Sequence, residues 1–260
     1  MELIKTTIKV GNSAGVLLPV KYLDSQVKII LQPYNIEKDV LEILMENNLL
    51  KETIGIYLTG SYARKEENIE SDIDILVITS SLNKRIRKNK YEIICISKIE
   101  LEKQLKENAL PILPMIKEAK VIMNKDLIKE YFDYPLTRKN LKWHIETTKS
   151  AMEVVKEDIK VSKEFYGGVM MNASAYSLIL RLRTLYILEC LKKGNSWNKK
   201  EMLNLIEKIT GSLKTYNIYL DVKNKKHSKD DLNIKEAQKL RDYILKKIES
   251  IEKWANEKKD

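Results

Sequence analysis

Leu58-Thr-Gly-Ser-Tyr-Ala-Arg-Lys-Glu-Glu-Asn-Ile-Glu-Ser-Asp-Ile-Asp-Ile-Leu-Val-Ile78 joins two apolar runs, and the reading of that junction decides the fold. The first run alternates through Ile54, Ile56 and Leu58 and stops at Gly60-Ser61. Ten residues then separate Ser61 from Asp72, which with Asp74 opens a second, strongly β-branched run to Thr79. Side chains two apart on a strand share a face, so both carboxylates are expected to project together beside the Gly-Ser turn. Two such carboxylates are hard oxygen ligands for a cation such as Mg²⁺. Gly60 lets the backbone turn tightly and approach a ligand without a Cβ in the way. Ser61 offers a hydroxyl and a backbone N–H at the start of the next helix, a cradle for an anion. Side by side, the two sites fit a metal-bound triphosphate. Two acids at the head of an otherwise apolar strand are costly unless paired or metal-bound, which argues against a merely solvated turn.

Outward from this junction the chain alternates helices and strands. Ile36, Val40 and Leu44, with Leu41 and Met45, form a helical stripe that ends near Asn47-Asn48. Tyr62 to Asn68 reads as a short helix, Asp72 to Thr79 as a strand, Lys84 to Lys90 as a basic loop and Tyr91 to Ser97 as a third strand. Leu101 to Asn108 is expected to be helical, Pro111 and Pro114 interrupt, and Val121 to Met123 is one more short strand.

Gly60-Ser61, the ten-residue gap, Asp72-Ile-Asp74, a helix after the first strand and an acid on the third strand together resemble the nucleotidyltransferase fold of the DNA polymerase β superfamily. The likeness is to its minimal (MNT) branch, over about residues 50–124. It implies in-line attack of an acceptor hydroxyl on the α-phosphate of ATP or another NTP, with pyrophosphate leaving and two Mg²⁺ ions stabilising the attacking and leaving oxygens. Asp72 and Asp74 would be metal ligands. A third carboxylate on the next strand, Glu92 by position, would hold the second metal and help deprotonate the hydroxyl; its plainer alternative is a strand-end acid facing water. Arg64 fits the family's Gly-Ser-x-x-Arg pattern and is expected at the triphosphate with Gly60 and Ser61, unless it is an exposed helix arginine. The basic stretch at 84–90 is either a contact for a polyanionic acceptor or a solubilising hairpin tip.

Residues 1–31 read as strand, turn, strand, short helix and strand. Thr6 to Val10 is the first strand, Gly11-Asn-Ser-Ala-Gly15 the turn, Val16-Leu-Leu18 the second strand before Pro19, and Val27 to Leu31 the last. From Thr7 to Asp24 the Gly-Asn-Ser turn, apolar triplet and proline resemble the AbrB/MazE-like swapped-hairpin family, in which two copies interleave into a small DNA-binding barrel. About thirty residues cannot bury a stable core alone, so this segment is expected to pair with a second copy or to pack on its own protein. Only Lys5, Lys9, Lys21 and Lys28 supply positive charge, which favours a homodimer over DNA contact.

Residues 137–260 read as all helix. Leu141, Ile145, Thr148, Met152, Val155 and Ile159 recur three and four apart, the pattern of a bundle. Tyr176 to Leu191 is apolar on nearly every face except at Arg181 and Arg183, which either line a cleft or pair with bundle acids. Asn198 to Ile209 is a shorter helix, Gly211 to Asn233 a lysine-rich connection, and Ile234 to Ile251 a final long helix. Four antiparallel helices are the economical arrangement. A minimal nucleotidyltransferase followed by a basic bundle resembles the MNT–HEPN association of toxin–antitoxin systems, and also the antibiotic nucleotidyltransferases, whose helical domain helps bind the acceptor. HEPN ribonucleases carry Arg, four to six residues, then His. Lys223-Asn-Lys-Lys-His227 has Lys for Arg and a shorter gap, and Lys229 stands where a tyrosine would follow, so ribonuclease activity is not expected. His144, on an amphipathic helix, reads as a packing or surface residue.

The expected fold class is therefore α+β: a nucleotidyltransferase-fold mixed sheet with helices at 34–136, preceded by a small β hairpin at 1–31 and followed by an all-α bundle at 137–260. Composition agrees, since 43% apolar and 32% charged residues describe a globular chain and exclude a disordered one. The formal charge of +10 falls unevenly, with 27 basic against 17 acidic residues in 137–260 and 16 against 18 in 32–136. That balance permits nucleic-acid contact without requiring it. No apolar run reaches membrane-spanning length and the N-terminus lacks a secretory apolar region, so a cytoplasmic protein with no membrane partner is expected. Cys95 and Cys190, each in apolar surroundings, read as buried thiols. Three functions fit: NMP transfer from an NTP to a protein or RNA hydroxyl, a DNA-binding regulator that senses nucleotide, and a small-molecule nucleotidyltransferase of the antibiotic type.

Overall fold

The computed structural model of the chain describes residues 3–5, 7–30, 35–68, 71–228 and 230–257. It divides into two compact units, Met1–Val40 and Leu41–Asp260.

The first unit is built on an antiparallel hairpin, β1 (Ile8–Val10) and β2 (Ser13–Gly15), paired from Ile8↔Gly15 to Val10↔Ser13. Gly11 leads its two-residue turn with φ +59°, a conformation that glycine enters without a Cβ clash and that suits the strand twist. Because that turn is so short, the second strand lies at Ser13–Gly15 and not at the expected Val16–Leu18. Residues 27–30 form no strand, against expectation; Thr6 and Leu31, the outer ends of the two expected strands, lie outside the described residues. None of the described side chains from 3 to 39 is buried, and Leu17, Val20, Leu23, Ile29 and Ile30 are exposed. Helix α1 (Ile36–Glu46) runs across the division between the units.

The second unit begins with β3 (Thr53–Thr59), α2 (Gly60–Arg64), β4 (Ile73–Thr79), β5 (Lys84–Lys88), β6 (Tyr91–Ser97) and α3 (Lys98–Glu107). Then follow α4 (Leu113–Glu118), β7 (Lys120–Met123) and α5 (Lys125–Phe132). The strands form one mixed sheet in the order β5-β6-β4-β3-β7, in which β4 and β6 are parallel and the other neighbours antiparallel. Central β4 buries Ile73, Ile75, Leu76, Val77 and Ile78, as a strand covered on both faces must. Asp74 is the polar break in that run.

Two local expectations change here. The run at Lys84–Lys90 is not a loop: its first five residues are the edge strand β5. Ile86 is buried on one side, while Lys84 and Lys88 reach Asn47 and Glu46. Charge along an open sheet edge deters pairing with other chains, which is why a strand here carries so little apolar character. Helix α2 starts at Gly60 and stops at Arg64, where Lys65 turns left-handed at φ +59°, well short of Asn68.

The remainder comprises α6 (Arg138–Phe165), α7 (Asn172–Lys193), α8 (Lys199–Thr210), α9 (Lys214–Lys223) and α10 (Ile234–Glu257). Thr137 and Asn140 cap α6 reciprocally, and the Asn140 amide also donates to the Leu105 and Pro135 carbonyls. Helix α10 packs on α6, α7 and α8, and α9 packs on α7. Five helices thus replace the expected four. The extra one, α9, lies in the stretch expected as a connection, because its ten residues bury only Thr215, Ile218 and Tyr219, too few to show a period. Nor is this part wholly helical: β8 (Val169–Met170) pairs with β9 (Leu232–Asn233). A single buried cluster runs from Tyr57, Leu76 and Ile78 through Leu101 and Leu105 to Leu182 and Ile244. Each such side chain contributes about 1.5–3 kcal/mol of burial free energy. Both cysteines are free and buried. Among the described residues no helix is long and apolar enough to cross a membrane.

Candidate active site

Three strands bring their ends together at one end of the sheet. Thr59, the last residue of β3, pairs with Asp74 in β4, which in turn pairs with Glu92 in β6. Register partners share a face of the sheet, so Asp74 and Glu92 present their carboxylates side by side. Asp72 precedes the strand and lies close enough for its charge to act on Asp74.

Gly60 follows Thr59 with φ +69°. A Cβ built there would sit 2.0 Å from Asp74 Oδ2, so the turn and the carboxylate are in immediate contact and no side chain fits between them. Burial, then the charges of Glu92, Asp72 and Glu118, push the Asp74 carboxyl up to about 6, with Lys223 of α9 opposing. This carboxylate is ringed by other acids.

Glu118, at the end of α4, was not foreseen. Its Oε1 accepts the Gly60 backbone N–H at 2.6 Å and its Oε2 receives Arg64 Nη1 at 2.5 Å. Burial raises the Glu118 carboxyl above the usual range, against the pull of Arg64, the Gly60 N–H and Arg183. Arg64 also donates from Nε to Glu66 Oε2 at 2.8 Å, and Glu66 Oε1 accepts the Lys199 N–H at 2.8 Å. Arg64 is thus half-buried in ion pairs and is not an exposed helix arginine. Glu92, expected either in the site or facing water, is held by Arg87 at 3.1 Å and Arg85 at 3.4 Å from the edge strand.

The two arginines of α7 part company: Arg183 is exposed and acts on Glu118 only through its charge, whereas Arg181 donates to Thr147 Oγ1 at 3.0 Å. His144 is buried against Trp143, with both ring nitrogens unbonded among the described residues. Lys223 is exposed and acts on Asp74 through its charge, while His227 is exposed in the coil beyond α9; Lys229 is outside the described residues. Beside Arg64 and Glu118 opens a cavity of 370 Å³, walled also by Ala63, Phe132 and Trp197.

Among the described residues no group of three or more His, Cys, Asp or Glu side chains is arranged to hold a metal ion. Glu92 is turned to its arginines. The donors nevertheless fit a hard cation, because Mg²⁺ takes one or two carboxylates and completes its shell with water and substrate phosphate oxygens. Asp72 and Asp74 are such a pair, and the crowding of acids around Asp74 favours a cation there.

A mixed sheet with a glycine turn pressed on a strand-borne aspartate agrees with the family comparison: residues 37–134 match the nucleotidyltransferase domain. That segment is a nucleotidyltransferase domain, and the chain is an enzyme of the nucleotidyltransferase class. Ten chains of solved structures are similar, among them one from Exiguobacterium sibiricum and one from Enterococcus faecialis. A nucleotidyltransferase-like protein from Exiguobacterium sibiricum is 16% identical, over 83% of this chain and 75% of that one, with a TM-score of 0.37. The spectinomycin adenyltransferase AAD(9) from Enterococcus faecialis, solved with ATP and spectinomycin, is 14% identical over 82% of this chain and 98% of that one, with a TM-score of 0.42. No curated protein matches the chain.

Proposed function

We propose that the chain transfers NMP from ATP or another NTP to a hydroxyl of a protein or RNA acceptor, with Mg²⁺ bound by Asp72 and Asp74 and with Glu92 beside them, held by its arginines and off the metal. One observation carries this reading: Asp74 stands in register between Thr59 and Glu92 with Gly60 against its carboxylate. Bound Mg²⁺ would supply charge neutralisation at the attacking and leaving oxygens. Gly60, Ser61 and Arg64 are assigned to the triphosphate. Glu92, oriented by Arg87 and Arg85, takes the proton of the acceptor hydroxyl as that oxygen bonds to the α-phosphorus. The bond to the bridging oxygen breaks and pyrophosphate departs. Lys223 and Arg183 bring positive charge from the helices toward this region, which suits a polyanionic substrate.

The reading has three parts along the chain: a pairing segment at 1–31, the transferase domain at 34–136 and a HEPN-like helical domain at 137–260, acting in the cytoplasm and related to toxin–antitoxin pairs. Exposed apolar side chains at 17–30 support pairing with a second copy, with DNA contact subordinate to it. Sedimentation of the full chain at monomer mass would remove the homodimer.

The decisive test is transfer of label from α-phosphate-labelled ATP to protein, RNA and small-molecule acceptors. Wild type with Mg²⁺ is expected to label one class, and Asp74→Ala to lose at least about a thousandfold of that rate. Equal labelling by the two chains sinks the assignment.

A further inference from the structure

Glu118 holds the very donors that the proposed function gives to the triphosphate. Its carboxylate takes the Gly60 N–H through one oxygen and Arg64 Nη1 through the other, and its side chain is only 9% exposed. The Gly60 amide has a single hydrogen: it serves Glu118 or a phosphate, not both. Carboxylate and phosphate are also interchangeable partners for a guanidinium, which grips either through paired oxygens.

We infer that Glu118 is a built-in anion which occupies the phosphate donors of the ligand-free chain and is exchanged for phosphate when nucleotide binds, so that this one side chain sets nucleotide affinity. The inference rests on the nucleotidyltransferase reading of Gly60 and Arg64. Three features make exchange, not permanent bracing, the role. Arg64 keeps its second tether, Nε to Glu66 at 2.8 Å, and stays in place when Glu118 leaves. The positive charge of Arg183 on α7 acts on Glu118 and would attract the displaced carboxylate. The 370 Å³ cavity bounded by Arg64 and Glu118 provides room for the movement. Left where it is, Glu118 would oppose an incoming phosphate by like charge.

Calorimetric titration of the full chain with inorganic triphosphate and with ATP, each in EDTA and again in Mg²⁺, tests this. Glu118→Gln keeps the shape but surrenders the charge, and is expected to bind both ligands about tenfold tighter or more than wild type. A brace would give the opposite sign. If wild type binds and Glu118→Gln binds equally or more weakly, the exchange is wrong and the nucleotidyltransferase reading stands. If neither binds, the reading of Gly60 and Arg64 fails and this inference with it. Should the variant not fold, wild type labelled with ¹⁵N-glycine answers alone. Addition of triphosphate is expected to move the Gly60 amide resonance, and a triphosphate that binds without moving it overturns the exchange.

Discussion

Asp74 in the sheet and Asp158 in α6 are both carboxylates set against apolar surroundings, and their neighbourhoods are opposite. Asp158, 7% exposed, receives the hydroxyls of Ser174 at 2.5 Å and Ser162 at 3.3 Å. Asp74 is surrounded by Glu92, Asp72 and Glu118. The first aspartate is satisfied by neutral donors from its own helix and the next, and needs nothing from outside. The second is placed where burial and neighbouring acids make ionisation expensive, a cost that Lys223 eases and that a bound cation would ease further. A carboxylate of the first kind holds helices together; one of the second kind is a candidate for chemistry.

The strongest way to break this contrast is at the glycine. Gly60→Ala places a methyl group into Asp74 and asks alanine to adopt a left-handed backbone. It is expected to cost about 2–4 kcal/mol of stability, read by urea unfolding, and to abolish transfer. A stable, active alanine variant would show that the turn is not pressed on the acid. Next in size, Asp158→Ala strands two buried hydroxyls and should cost about 1–3 kcal/mol while transfer proceeds at the wild-type rate. Loss of transfer in a well-folded Asp158→Ala chain would erase the distinction between the two aspartates.

The smallest effects are in pH dependence, where two buried groups pull in opposite directions. Asp74 has its folded pKa raised to about 6 from 3.8, so the folded state binds the extra proton and stability falls as pH rises from about 4 to 6. His144 is pushed down to about 4 from 6.5 by burial and then by Arg181. There the unfolded state binds the extra proton, and stability falls as pH drops from 6.5 toward 4. In the absence of ligand, Asp74→Asn is therefore expected to raise the Tm at pH 7 by about 2–6 °C. His144→Leu is expected to flatten the acid side of the curve. An Asp74→Asn chain that melts lower at pH 7 in EDTA would mean that the acid ring is not repulsive.

The parts of the site readable from sequence were those made by neighbours in the chain. The Gly60-Ser61 turn and the strands carrying Asp74 and Glu92 follow from alternation and β-branching within a few residues. The end of α4 lies 58 residues from Gly60, and the stretch around Glu118 has no period that distinguishes it from a solvated helix end. Lys223 was readable only as a fragment of another motif, since nothing local shows that α9 exists or folds back on α7. β5 was hidden for a third reason: an edge strand satisfies its backbone on one side only and protects the other with charge, so it resembles a loop in composition.

Glu66 is the smallest part of this arrangement and carries a large implication. One of its oxygens holds Arg64 and the other the first amide of α8, so a lone carboxylate joins segments 133 residues apart in the chain. Grafting the transferase segment onto a foreign scaffold would leave that oxygen idle and strip cover from Leu101 and Leu105, which share their cluster with α6, α7 and α10. A chimera that imports α8 along with the sheet keeps that bond; one that takes the sheet alone loses it.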